Sequence, residues 1–154
     1  MEYGHGGDIY SQEIRLDFSA NINPLGLPNG VKAALKEGIP LCANYPDSQC
    51  RTLTAALSDY HHLPKEWIIC SNGAADLIVQ LAFGYKPDKA LLVAPSFSEY
   101  GNALSAAGCE IQYFELQKER GFALEINRFC SFLEKNSTGK TMVFLCNPNN
   151  PTGL

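Results

Sequence analysis

Thr141-Met142-Val143-Phe144-Leu145-Cys146 runs straight into Asn147-Pro148-Asn149-Asn150-Pro151-Thr152-Gly153, and this stretch decides how the rest of the chain is read. The apolar run does not alternate, as expected of a strand covered on both faces. Two prolines then frame two asparagines. Proline restricts the residue before it, so Asn147 and Asn150 favour extended backbone. That gives the Asn150 side chain a set direction, and its amide can donate and accept, which suits a phenolic oxygen. Asn and Pro are common in surface turns, but the arrangement from Leu145 to Gly153 directly after a strand is more specific than composition.

Working back toward the N-terminus, strands and helices alternate. Glu110–Leu116 and Ala90–Ala94 read as strands, and Trp67–Cys70 as a short buried strand. Between them, helical spacing of apolar residues predicts helices over Ser48–His61, Ala74–Phe83, Phe97–Ala107 and Ile126–Leu133. The class is α/β with a mostly parallel sheet. Residues 1–46 differ: His5-Gly6-Gly7, Asn23-Pro24, Pro28-Asn29-Gly30 and Tyr45-Pro46 are turn-forming punctuation, interrupted by one short helix near Asn29–Glu37.

In sheets of this kind ligands bind beyond the carboxyl ends of the strands. Ser71-Asn72-Gly73-Ala74-Ala75-Asp76 is a glycine turn opening a helix, whose free N–H groups can hold a phosphate. The same residues also suit a plain tight turn with Asp76 complementing the helix dipole. Pro95-Ser96-Phe97 places an aromatic just after a strand, over a planar ligand or simply in the core. Near the N-terminus, His5 beside Gly6-Gly7 could receive an anion, and Leu16–Gly26 is an extended polar segment containing Asn21.

Composition narrows the field. The chain has 154 residues, 45% hydrophobic and 18% charged, enough to bury a core. Its 12 Lys+Arg against 16 Asp+Glu give a formal charge of −4, with no basic stripe for nucleic acid. No apolar run approaches a membrane span and no signal peptide opens the chain, so a cytoplasmic protein is expected. The six cysteines form no CxxC pair, so no metal site is expected and the thiols read as reduced. Cys70 and Cys146, inside apolar runs, read as small hydrophobes. Neither GxGxxG nor GxxxxGK[ST] occurs, which weighs against a nucleotide-binding domain.

Taken together, NPNNPTG at Asn147–Gly153, NGAAD at Asn72–Asp76, PSF at Pro95–Phe97 and NYPD at Asn44–Asp47 resemble the fold-type I pyridoxal-phosphate enzymes of the aminotransferase class I/II superfamily. Within it, HGGDIY at His5–Tyr10, LDFSANINPLG at Leu16–Gly26, SFSEYGNAL at Ser96–Leu104 and GCEI at Gly108–Ile111 look most like the threonine-phosphate decarboxylases of cobalamin biosynthesis, with histidinol-phosphate aminotransferases as close relatives. The resemblance implies a three-layer α/β/α domain of seven strands, whose first strand lies far from the next three. It implies pyridoxal 5'-phosphate as cofactor, a phosphorylated amino acid as substrate and a homodimer. Ala74 and Ala75 would give N–H groups to the cofactor phosphate, Phe97 would stack on the ring, and Asn150 would bond its phenolic oxygen. Tyr45 would reach the cofactor phosphate of the partner subunit, and His5, Gly6 and Asn21 would receive the substrate phosphate.

The resemblance also implies that the Schiff-base lysine comes well after NPNNPTG, so none of the eight lysines fills that place. The chain is then expected to be an N-terminal fragment, inactive alone: residues 1–46 an arm and part of a small domain, residues 47–154 the first part of the cofactor-binding domain. Decarboxylation and amino transfer use one cofactor and differ in which bond stands perpendicular to its ring. Both stay open, as does a non-catalytic phosphate-binding module.

Overall fold

The computed structural model describes residues 6–11 and 13–154. They form two compact units, one ending at Ile68 and one from Ile69 to Leu154, described in turn.

The first unit is held by local hydrogen bonds. The Asp17 carboxylate accepts the Ser19 N–H (2.7 Å) and hydroxyl (2.6 Å), and Ser19 Oγ accepts the Gly7 N–H (2.8 Å). This approach needs a glycine, because a Cβ on Gly6 would stand 1.8 Å from the Ser19 carbonyl oxygen. Helix α1 (Asn29–Gly38) follows Pro28, a 3-10 segment covers Ile39–Ala43, and helix α2 is Arg51–His61. The predicted start of α2 at Ser48 moves to Arg51 because Asp47 organises the entry: its carboxylate accepts the N–H groups of Gln49 and Arg51 and pairs with the Arg51 guanidinium at 2.9 Å. No described residue of this unit is buried.

The second unit contains the core. Strands β1 (Lys89–Ala94), β2 (Glu110–Glu115) and β3 (Thr141–Phe144) are parallel in the order β2-β1-β3. The register sets Leu92 against both Tyr113 and Phe144. Helices α3 (Ala74–Tyr85) and α4 (Ser98–Ala106) cover one face, where Ile78, Ala82, Ala103 and Leu104 pack with Ala90, Leu92 and Cys109. Helix α5 (Ile126–Asn136) covers the other through Phe129 against Val93 and Phe114. The result is a three-layer α/β/α arrangement around a central strand that is apolar on both faces, as its non-alternating sequence requires.

One expected strand is absent. Lys65–Trp67 forms a single 3-10 turn and residues 68–71 take no regular secondary structure, with Trp67 and Ile69 each 73% exposed. A strand exists only through its ladder, and both sides of β1 are already taken by β2 and β3. Apolar character alone cannot supply a pairing partner.

Candidate functional site

Only Lys86–Asp88 separate α3 from β1, so α3 runs back along the sheet and its first turn lies at the carboxyl end of the strands. Gly73 precedes it with φ +88°, a conformation that favours glycine. No side chain caps this helix. The hydrogen bonds of the described residues leave the N–H groups of Ala74 and Ala75 without an acceptor, and both residues are exposed. A helix start of this kind presents partial positive charge to an anion.

Behind it, the Asp76 carboxylate accepts the Ser71 hydroxyl and the Asn72 N–H (3.2 Å), while Gln80 Nε2 donates to Ser71 Oγ (2.9 Å). The Ser71 hydroxyl, then the Gln80 side chain and the Asn72 N–H, hold the Asp76 carboxyl below its ordinary range. This network fixes the turn from beneath, so the first N–H groups of α3 need not bend to find partners.

The same end of the sheet carries the turns after β1 and β3. Phe97 sits just before α4, half-buried, with its ring edge-on to Tyr100 (centroids 5.6 Å). Tyr100 in turn stacks on Phe144, the last residue of β3, at 4.6 Å and 12°. The two turns are tied directly: Asn149 Nδ2 donates to the Pro95 carbonyl (3.0 Å) and to Thr152 Oγ1 (2.9 Å). The Asn149 N–H reaches the Leu154 carbonyl, and the Gly153 N–H returns to the Asn149 carbonyl, each at 2.6 Å. Ala94–Pro95, Asn147–Pro148 and Asn150–Pro151 are cis peptide bonds. Asn150 itself is exposed, and its backbone N–H approaches Cys146 Sγ (3.4 Å).

The structure therefore gathers Ala74, Ala75, Phe97 and Asn150 at one end of one sheet. Tyr45, Gly6 and Asn21 belong to the other unit; Tyr45 is fully exposed, Gly6 lies against Ser19, and Asn21 is exposed. His5 lies outside the described residues. Sequence reasoning missed Asn149, which anchors the loop while its neighbour stays free; two adjacent asparagines carry no mark of which turns inward. It also missed Tyr100, although the spacing of three from Phe97 puts both on one helix face. Cys146 needs a correction: it lies beyond β3, and its thiol takes part in hydrogen bonds instead of acting as a small hydrophobe. A cavity of about 440 Å³ between β2 and α5, lined by Phe114, Arg128 and Lys135 among others, lies on the opposite face and is no part of this site.

Among the described residues no cluster of His, Cys, Asp and Glu could hold a metal ion, and no helix is long and apolar enough to cross a membrane.

The chain is 42% identical to the threonine-phosphate decarboxylase of Salmonella typhimurium over 97% of its length and 42% of that protein. It is 30% identical to the histidinol-phosphate aminotransferase of Methanococcus aeolicus over 99% of this chain and 41% of that one. The crystal structure of the histidinol-phosphate aminotransferase from Clostridium acetobutylicum superposes with a TM-score of 0.72 at 29% identity, covering 86% of this chain and 38% of that one. The chain thus spans about two-fifths of the length of the curated relatives it matches. The family model for aminotransferase class I and II matches residues 13–154, and with the parallel α/β/α sheet this establishes that the chain belongs to the aminotransferase class I and II family of fold-type I, pyridoxal-phosphate-dependent proteins.

Proposed function

We propose that the protein containing this chain binds pyridoxal 5'-phosphate at the carboxyl end of the sheet and decarboxylates L-threonine O-3-phosphate to (R)-1-aminopropan-2-yl phosphate in cobalamin biosynthesis, as a cytoplasmic homodimer. The observation that carries the cofactor reading is the pairing of an uncapped helix start at Ala74–Ala75 with the free Asn150 amide at the same end of the sheet. The residues fit the group: backbone donors for a phosphate, an aromatic for a ring, a neutral amide for a phenolic oxygen. The greater identity to the threonine-phosphate decarboxylase favours that substrate.

When bound, the cofactor supplies an electron sink. The chain's own residues bind and orient. The N–H groups of Ala74 and Ala75 hold the phosphate, Phe97 fixes the ring plane, and Asn150 donates to the phenolic oxygen. Tyr45 serves the cofactor phosphate of the partner subunit, and His5, Gly6 and Asn21 receive the phosphate of the substrate. Residues 1–46 then form an arm and part of a small domain, and residues 47–154 the first part of the cofactor-binding domain. The reaction breaks the bond from Cα to the carboxylate, releases carbon dioxide and returns a proton to Cα. This chain by itself is proposed to be inactive.

The test uses the protein expressed from its natural reading frame. Given pyridoxal 5'-phosphate and L-threonine O-3-phosphate, it should release carbon dioxide and form the amino alcohol phosphate in equal amounts. Amino transfer from histidinol phosphate to a 2-oxo acid, without carbon dioxide release, would instead establish the second reading, which the histidinol-phosphate aminotransferase relatives favour. Absence of cofactor binding would sink both.

A further inference from the structure

We propose that Cys146 is a positioning residue for Asn150, its sulfur joining the loop after β3 to Tyr100 of α4 and so holding the Asn150 amide at a set place relative to Phe97. The inference rests on the cofactor reading given above and adds a residue to it.

Pro148 and Pro151 lack an N–H, so the loop has few donors with which to fasten itself. The N–H groups of Asn149 and Gly153 are spent within it. For Asn150, the fastening among the described residues is its N–H to Cys146 Sγ at 3.4 Å. The thiol then donates to the Pro148 carbonyl at 3.4 Å, so one sulfur accepts from one side of the Asn149 position and donates to the other.

The same sulfur also meets α4. Tyr100 lies beside Cys146, and burial first, then this neighbour, push its phenol up to about 12. Its ring is clamped between Phe144, stacked at 4.6 Å, and Phe97, edge-on at 5.6 Å. A continuous set of contacts thus runs from Phe97 through Tyr100 and Cys146 to Asn150. Its two ends are the aromatic and the amide assigned to one planar ligand, and the separation of those two groups decides whether the ligand meets both.

Sulfur suits the place by its reach. The N–H···S contact is 3.4 Å, whereas an N–H···O bond prefers about 2.9 Å, so an oxygen would draw the Asn150 backbone about half an ångström inward. Serine should thus keep the bonds and misplace the amide.

The experiment measures equilibrium binding of pyridoxal 5'-phosphate, after its removal, to the protein expressed from its natural reading frame. Cys146→Ala should weaken binding about 3–10-fold, and Cys146→Ser by less. In an Asn150→Ala background, Cys146→Ala should change binding by less than about 2-fold, since the sulfur acts through Asn150. A purely structural role would weaken binding equally in both backgrounds, and that result, or no weakening in the wild-type background, overturns the proposal. Should Cys146→Ala not fold, Tyr100→Phe removes one hydroxyl at the other end of the link and must show the same non-additivity with Asn150→Ala. Failure of the wild-type protein to bind the cofactor would overturn the cofactor reading as well, whereas wild-type binding that ignores Cys146 overturns this inference alone.

Discussion

The two units of this chain are held in different ways. From Ile69 onward a sheet is packed on both faces, and every buried hydrophobic residue among those described lies between Ile78 and Phe129. Up to Ile68 there are helices, tight turns and side-chain-to-backbone hydrogen bonds, yet Tyr10, Phe18, Leu25 and Tyr45 are all at least 91% exposed. Turn chemistry at Asp17, Asn23 and Asp47 suffices to set local backbone. It does not make an interior, because local hydrogen bonds replace bonds to water at little net gain, whereas burial of apolar surface supplies the driving force.

The largest effect that could break this contrast is a core truncation. Leu104 is fully buried, so Leu104→Ala should cost about 2–5 kcal/mol, read from urea unfolding followed by far-UV circular dichroism. Leu53 in α2 is 52% exposed, and Leu53→Ala should cost about 1 kcal/mol or less. Equal losses would mean that α2 is as firmly packed as α4.

Next in size are the two neighbouring asparagines of the loop after β3. Asn149 holds Pro95 and Thr152, so Asn149→Ala should lower stability by about 1–2 kcal/mol. Asn150→Ala should leave stability without cofactor within about 0.5 kcal/mol, as for a surface substitution, and act on cofactor binding instead. Reversed results would exchange the anchor and the ligand-facing residue.

What the sequence disclosed follows the same division. β1 was legible because Ala90-Leu91-Leu92-Val93 is a run that a sheet covered on both faces buries; β3 was legible as a strand, but it is not covered on both faces, since none of Thr141–Phe144 is buried and Val143 is 40% exposed. α3 and α5 were legible from spacing. Trp67–Cys70 looked equally strand-like and is none, since pairing is a property of neighbours and not of the segment. At the site, the loops could be found because strand ends in an α/β sheet are where ligands gather. Which atom of each loop turns inward could not be found, because Asn149 and Asn150 are the same residue type in the same punctuation, and the link from Cys146 to Tyr100 joins positions separated by two strands and a helix.

A smaller effect tests two glycines. A Cβ on Gly101 of α4 would meet the Tyr113 hydroxyl at 3.0 Å, the far end of a half-exposed side chain that can move. The higher helix propensity of alanine, worth about 1 kcal/mol, offsets that shift, so Gly101→Ala should be near neutral. Gly6→Ala meets backbone, and the approach to Ser19 must open. Hydrogen exchange of the Gly7 amide should then accelerate, while the global unfolding free energy stays within about 0.5 kcal/mol because nothing described there is buried. A large global loss from Gly6→Ala would show that the arm supports the core.

The smallest effect separates two aspartates that look alike. Asp76, at the start of α3, is held below its ordinary 3.8 first by the Ser71 hydroxyl, and Asp47, before α2, first by the Arg51 N–H. For each, the unfolded chain takes up its proton at a higher pH than the folded one. The stabilisation is therefore complete above the unfolded value of about 4 and fades as pH falls through the lowered folded value. Only Asp76 is linked to a helix that reaches the core, through Ile78 and Ala82. Urea midpoints at neutral pH and below pH 4 should show Asp76→Asn lowering stability at neutral pH, with its deficit against wild type shrinking in acid. Asp47→Asn should leave the global midpoint alone at both and merely loosen the first turn of α2. If Asp47→Asn changes the acid limb more than Asp76→Asn does, the unit up to Ile68 contributes to global stability, and its turns are coupled to a packed interior.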